Sequence, residues 1–138
     1  MKKEQTRCFI ALDLPRNVIN EIKKIQNLIK EKKLFDGKLI EPENLHLTLK
    51  FLGEINENKI KEVKEKLKEV EFNKFKVHLG NIGVFPSKYN SYIRVIWIEL
   101  LGKGVFDLQK QIDNLLSDVF KSEYRFMSHI TIARIKRV

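Results

Sequence analysis

The 138-residue chain holds one cysteine, three prolines and six glycines, and only 18 acidic residues against 27 lysines and arginines. Each scarcity excludes something. A single cysteine, Cys8, forbids an internal disulfide and cannot build a zinc site, which points to the cytoplasm. Few prolines and glycines, with no Pro/Gly/Ser-rich stretch, leave no linker, so residues 1–138 read as one domain. No apolar run approaches the ~20 residues of a membrane span. The basic opening, Met-Lys-Lys-Glu-Gln-Thr-Arg, is followed only by the short apolar stretch Cys8 to Leu12. That is too little for a secretory leader.

What is present is a normal apolar fraction, 43%, and a net charge of +9. The length and apolar fraction support a real core and exclude wholesale disorder. The charge favours a polyanionic partner such as nucleic acid. Much of the lysine alternates with glutamate, as between Lys59 and Glu71. Such runs are usually solvated helix surface.

Apolar spacing predicts the elements. Arg7 to Leu14 reads as a short buried strand. Val18, Ile22, Ile25 and Ile29 recur at helical spacing, giving a helix opened by Pro15. Asp36-Gly37 reads as a turn, and Leu45 to Leu52 as a strand ended by Gly53. Ile60, Val63, Leu67 and Val70 give a second helix. Phe75 to Leu79 reads as a strand and Gly80 to Asn90 as a loop. Tyr92 to Leu101 is a strong strand, Val105 to Val119 a third helix, and Phe126 to Ile135 the last strand.

That order contains a repeat. Arg7-Cys-Phe-Ile-Ala-Leu, a helix and His46-Leu-Thr-Leu match Arg94-Val-Ile-Trp-Ile, a helix and His129-Ile-Thr-Ile at similar spacing. The two halves suggest a pseudo-twofold molecule with equivalent strands facing one shared site.

The repeated His-x-Thr carries the chemistry. Side chains alternate along a strand, so His46 and Thr48 share one face while Leu47 and Leu49 point to the core. His129 and Thr131 do the same with Ile130 and Ile132. Each strand thus offers an imidazole and a hydroxyl roughly 7 Å apart. Histidine titrates near neutrality, so one imidazole can take a proton while the other gives one. The threonine hydroxyls can donate to phosphate oxygens. Arg134, with its planar fork, suits the same anion. It shares a face with His129 and Thr131 only if the strand bulges or ends before it. A lone His-x-Thr is usually ordinary packing; two in matching halves are not. No convincing third ligand accompanies the histidines, so a metal site is not expected. His78 reads as structural or exposed, and Cys8 as core. Phe9, Phe51, Phe85 and Tyr92 are candidates for base stacking, though each fits the core better.

On Arg7 to Pro15, Asn44-Leu-His-Leu-Thr-Leu-Lys-Phe-Leu-Gly53, Phe85-Pro86, Arg94 to Ile98 and His129 to Arg134, the chain resembles the two-histidine phosphoesterases. Within them it is similar to the RNA 2′,3′-cyclic phosphodiesterases, also called 2′-5′ RNA ligases. The resemblance implies an α+β fold, bilobal and pseudo-twofold, with two antiparallel β-sheets forming a concave central groove and helices packed outside. It implies metal-independent hydrolysis of a terminal 2′,3′-cyclic phosphate to a 2′-phosphomonoester, with no cofactor, and in some members reversible 2′-5′ joining. By that analogy His46 is the proton donor, His129 the proton acceptor, and Thr48, Thr131 and Arg134 bind the phosphate. Ser128 stands where relatives often have proline. The expected partner is RNA with a cyclic end, met by a monomer without a membrane. Two other readings are a cyclic phosphodiesterase acting on a small nucleotide, such as an ADP-ribose cyclic phosphate, and a non-catalytic module that grips RNA ends.

Overall fold

A computed structural model describes residues 4–86 and 93–137. Among them, three α-helices and six strands follow the order β1 (Gln5–Asp13), α1 (Arg16–Glu31), β2 (Asp36–Leu39), a 3-10 turn (Pro42–Asn44), β3 (His46–Asn56), α2 (Glu57–Leu67), β4 (His78–Pro86), β5 (Ile93–Leu101), α3 (Lys103–Leu115) and β6 (His129–Arg137). The fold is α+β, with two antiparallel sheets: β1-β3, and β2-β6-β5-β4. No helix among the described residues is long and apolar enough to cross a membrane.

The chain divides into two compact units that do not follow the sequence halves. One takes the stretch up to Leu12, Thr48–Val77 and Gly102–Ser128; the other takes Asp13–Leu47, His78–Leu101 and the stretch from His129 on. Helix α1 therefore shares a unit with β6, and α3 shares one with most of β1 and β3. Each strand–helix–strand repeat lends its helix to the unit holding the other repeat's strands.

In the unit of the four-stranded sheet, one sheet face is apolar. Ile96, Ile98 and Leu100 of β5 and Ile130, Ile132, Ala133 and Ile135 of β6 are buried. Val18 and Ile22 of α1, on the stripe the helical spacing predicts, are buried too. Removing such side chains from water contributes about 25 cal/mol per Å² of apolar surface, which is what holds this helix to the sheet.

In the other unit, Leu49, Ile55, Val63, Val105, Leu108, Ile112 and Leu116 form the core. Asn56 caps α2, its side chain accepting from the Lys59 backbone N–H at 2.9 Å, the role Asn favours at a helix start. Inside this core lies an ion pair. Lys50 Nζ donates to Asp113 Oδ1 at 2.6 Å and to the Lys121 carbonyl at 2.9 Å, while Asp113 also accepts from the Glu123 N–H. The pair ties β3 to α3 and to the segment after it.

Several local expectations change. Asp36-Gly37 is not a turn but the start of an edge strand paired with β6. A side chain at Gly37 would run into the Arg134 carbonyl, so the glycine serves close backbone approach. Strand β3 runs through Gly53, at φ +75°, and ends only at Asn56. Phe75 to Val77 is not strand, and Gly80 to Pro86 is, because β4 pairs with β5 as far as Pro86. Pairing across the sheet overrides the turn signal of these glycines. Strand β1 is half-exposed rather than buried, and α2 and α3 end before Val70 and Val119. Tyr92 lies outside the described residues.

Leaving one partner of the Lys50–Asp113 pair unpaired in the core should be severe. Asp113→Ala is expected to lower unfolding free energy by about 3–5 kcal/mol, while Lys50→Met with Asp113→Leu should recover most of it, as read by denaturant melts.

Candidate active site

Both histidines open their strands. His46 is the first residue of β3 and His129 the first of β6, each preceded by a buried residue, Leu45 and Ser128. From there the two strands bury their residues in the same sequence. The histidine is half-buried, the next residue buried, the threonine half-buried, the next two buried, and the sixth exposed. The duplication read from His-x-Thr thus extends over six positions, from His46 to Phe51 and from His129 to Arg134.

The 3-10 turn aims His46. Its Nδ1 lies 2.7 Å from the Asn44 carbonyl. A carbonyl only accepts, so Nδ1 carries the hydrogen and Nε2 is the atom that can exchange protons. His129 sits among aromatics. Its ring meets Phe85 edge-on, centroids 5.3 Å apart, and Trp97 at 6.1 Å. Across the strand its partner is Glu99, whose carboxylate accepts from the Asn81 N–H at 2.9 Å.

Register settles where Arg134 points. Strand β5 pairs Glu99 with His129 and Trp97 with Thr131, then shifts by one residue so that Ile96 meets Ala133 and Val95 meets Arg134. Paired residues share a face, and Val95, Trp97 and Glu99 alternate onto one. The extra residue, Ile132, is a β-bulge, and beyond it Arg134 returns to the face of His129 and Thr131. On β2, Lys38 is the partner of Arg134, so a second cation stands beside it.

The bulge has its own support. The Ile132 carbonyl accepts from the Ile40 backbone N–H at 3.0 Å and from Gln26 Nε2 at 2.9 Å. Gln26 also donates to the Ile40 carbonyl at 2.9 Å and is only 4% exposed. Sequence reasoning alone misses Gln26. Its signal is a polar residue one turn after Ile22, inside the apolar stripe of α1. Glu99, Lys38 and Trp97 are missed as well; nothing local marks the first two.

Trp97 packs over Gly83, its partner on β4, where a Cβ would collide with the indole ring. The buried indole N–H has no hydrogen-bond partner among the described residues. Phe9 and Phe51 are not core: they are 46% and 67% exposed, with ring centroids 6.2 Å apart. His78 is exposed at the start of β4 and joins no site. Cys8 is half-buried and unbridged. Among the described residues no three His, Cys, Asp or Glu side chains cluster as a metal site would need.

The arrangement defines a class. The same fold occurs in a Thermus thermophilus protein, at TM-score 0.80 and 24% identity over 95% of this chain and 75% of that one. Escherichia coli LigT, solved with 3′-AMP, superposes at TM-score 0.68 and 26% identity, covering 95% of this chain and 73% of its own. The chain is a two-histidine phosphoesterase in fold. The family described as LigT-like phosphoesterase matches residues 12–97. A Methanocaldococcus jannaschii protein named RNA 2′,3′-cyclic phosphodiesterase is 42% identical over 131 residues, covering 94% of this chain and 72% of that one. One of the same name from Archaeoglobus fulgidus is 35% identical over 136 residues, covering 95% and 73%. The chain belongs to the LigT-like phosphoesterase family.

Replacing Gln26 by leucine fills the same space but removes its hydrogen bonds to the Ile132 carbonyl of the bulge and to the Ile40 carbonyl. We expect a loss of about 1–3 kcal/mol in denaturant melts, larger than an ordinary exposed-surface substitution on α1 such as Lys23→Ala.

Proposed function

We propose that this chain is an RNA 2′,3′-cyclic phosphodiesterase, opening a terminal cyclic phosphate to a 2′-phosphomonoester without a metal. The observation that carries the reading is the doubled His-x-Thr, each copy opening a strand with the same burial order and one continuing to Arg134. The names of the relatives support it.

In the proposed reaction His129 takes a proton from water as the oxygen attacks phosphorus. The bond from phosphorus to O3′ breaks, and His46 Nε2 gives its proton to O3′. The products are a 2′-phosphomonoester and a free 3′-hydroxyl, and solvent returns both histidines to their starting protonation. The choice of His46 as acid and His129 as base rests on the family resemblance. The Nδ1–H held by the Asn44 carbonyl keeps His46 oriented in both protonation states. Thr48 and Thr131 donate to the non-bridging oxygens, and Arg134 neutralises charge that grows on them. A 5′-hydroxyl taking the place of water would give a 2′-5′ linkage by the same steps. The exposed Phe9–Phe51 pair is of a kind that suits a nucleobase.

Incubated with a chelator and a nucleoside 2′,3′-cyclic phosphate, the wild type should release the 2′-phosphate and not the 3′ isomer. His46→Ala and His129→Ala should each lower kcat about 10²–10⁴-fold. The pH profile of kcat/KM should be bell-shaped, as a reaction needing both a general acid and a general base requires. An intact ring after incubation with wild type, or full activity in both variants, would sink the reading.

A further inference from the structure

Strand β6 shifts register twice. The second shift, against β2, lies between Asp36 and Gly37: Gly37 pairs with Ile135, whereas Asp36 pairs with Arg137, leaving Lys136 as the extra residue. Alternation restarts after each shift, so His129, Thr131, Arg134 and Arg137 come onto one face, with Lys38 of β2 beside Arg134. Ile130, Ile132, Ala133 and Ile135 go to the buried side. One strand thus carries a row of cations away from its histidine, for about 20 Å between Thr131 and Arg137. That is longer than a mononucleotide needs.

The row ends at a cleft of about 710 Å³ between the last turn of α1, the edge strand β2 and the end of β6. Lys30, Lys33, Lys38 and Arg137 rim it, and Asp36 is the one acid lining it among the described residues; Leu34 and Phe35 give it an apolar part. The ion pairs of Arg137 with Asp36 at 3.4 Å and of Lys38 with Glu41 at 3.6 Å are exposed. Such pairs hold their cations weakly and release them readily to a stronger anion.

Lys33 adds an independent sign. It closes α1 at φ +49°, a left-handed position that favours glycine. Glycine would close the helix with less backbone strain, whereas lysine here sets an ammonium at the rim of the cleft.

We propose that this cleft and the Lys38–Arg137 row bind the backbone phosphates of single-stranded RNA leading up to the cyclic end. They would make the enzyme selective for polynucleotide over mononucleotide. The inference rests on the RNA phosphodiesterase reading, and deepens it.

The test compares wild type with Lys30→Ala/Lys33→Gly/Arg137→Ala. A labelled short oligoribonucleotide ending in a 2′-phosphate is titrated by fluorescence anisotropy over a range of salt. Turnover of a nucleoside cyclic phosphate and of a cyclic-ended oligonucleotide is measured alongside. We expect oligonucleotide affinity to fall about tenfold. The salt slope should become shallower by about 0.7 for each phosphate the variant no longer holds. Mononucleotide kcat/KM should stay within about twofold. Lys33→Gly alone should melt no lower than wild type, since it relieves the left-handed backbone, so weaker binding there is not a failure to fold. Unchanged oligonucleotide affinity in the triple variant, or an equal fall on both substrates, overturns the proposal. Because binding needs no turnover, the two readings fail separately. An inert wild type whose variant still binds RNA more weakly refutes the catalysis and supports the row. An active wild type whose variant keeps its RNA affinity refutes the row alone.

Discussion

Strict alternation along a strand cannot put a histidine, a threonine two residues on and an arginine three residues beyond that on one face. The chain meets this constraint by inserting Ile132 as an unpaired residue in β6. The inserted residue's carbonyl faces the β2 side, in a buried place where an unsatisfied acceptor is costly. Ile40 and Gln26 supply the missing donors, from the segment after β2 and from α1. The helix is therefore more than a cover for the apolar face. Its one buried amide holds the bulge, and the bulge holds the arginine on the face of His129 and Thr131.

The repeated strands show how similar backbones can carry different chemistry. Both break alternation after the fourth residue, with two successive buried positions. In β6 the second of these is Ala133, which asks nothing of its neighbours. In β3 it is Lys50, which stays buried only because Asp113 and the Lys121 carbonyl accept its hydrogens. A bare ammonium there would be strongly unfavourable. The next position is Arg134 on one strand and exposed Phe51 on the other. At the sixth position one strand thus carries a cation suited to phosphate, the other an aromatic face paired with Phe9.

Much of this was legible in the residues. The apolar spacing of Val18 and Ile22 located α1 and its buried side, and the β-branched run ending at Leu101 located β5. The two His-x-Thr pairs fell on strands, as their alternation required, and the face problem of Arg134 called for an irregular strand. Several of the misreadings lay at glycines. Gly37, Gly80 and Gly83 carry turn signals, yet each sits inside a strand because a neighbour needs its empty side. The Arg134 carbonyl presses on Gly37, Leu101 on Gly80 and the Trp97 ring on Gly83. A glycine that turns the chain and one that makes room look alike in sequence.

The sequence by itself determined the chemical groups, their order along each strand and the periodicity that separates core from working face. Those are local properties, set by alternation and helical spacing within a few residues. Only the tertiary structure decided which strands are neighbours, where β6 slips its register, and that Gln26, Lys38 and Glu99 stand near groups far from them in the chain. It also divided the fold across the repeat, placing each half's helix with the other half's strands. Pairing and burial between distant segments set these features, and no short window of sequence contains both partners.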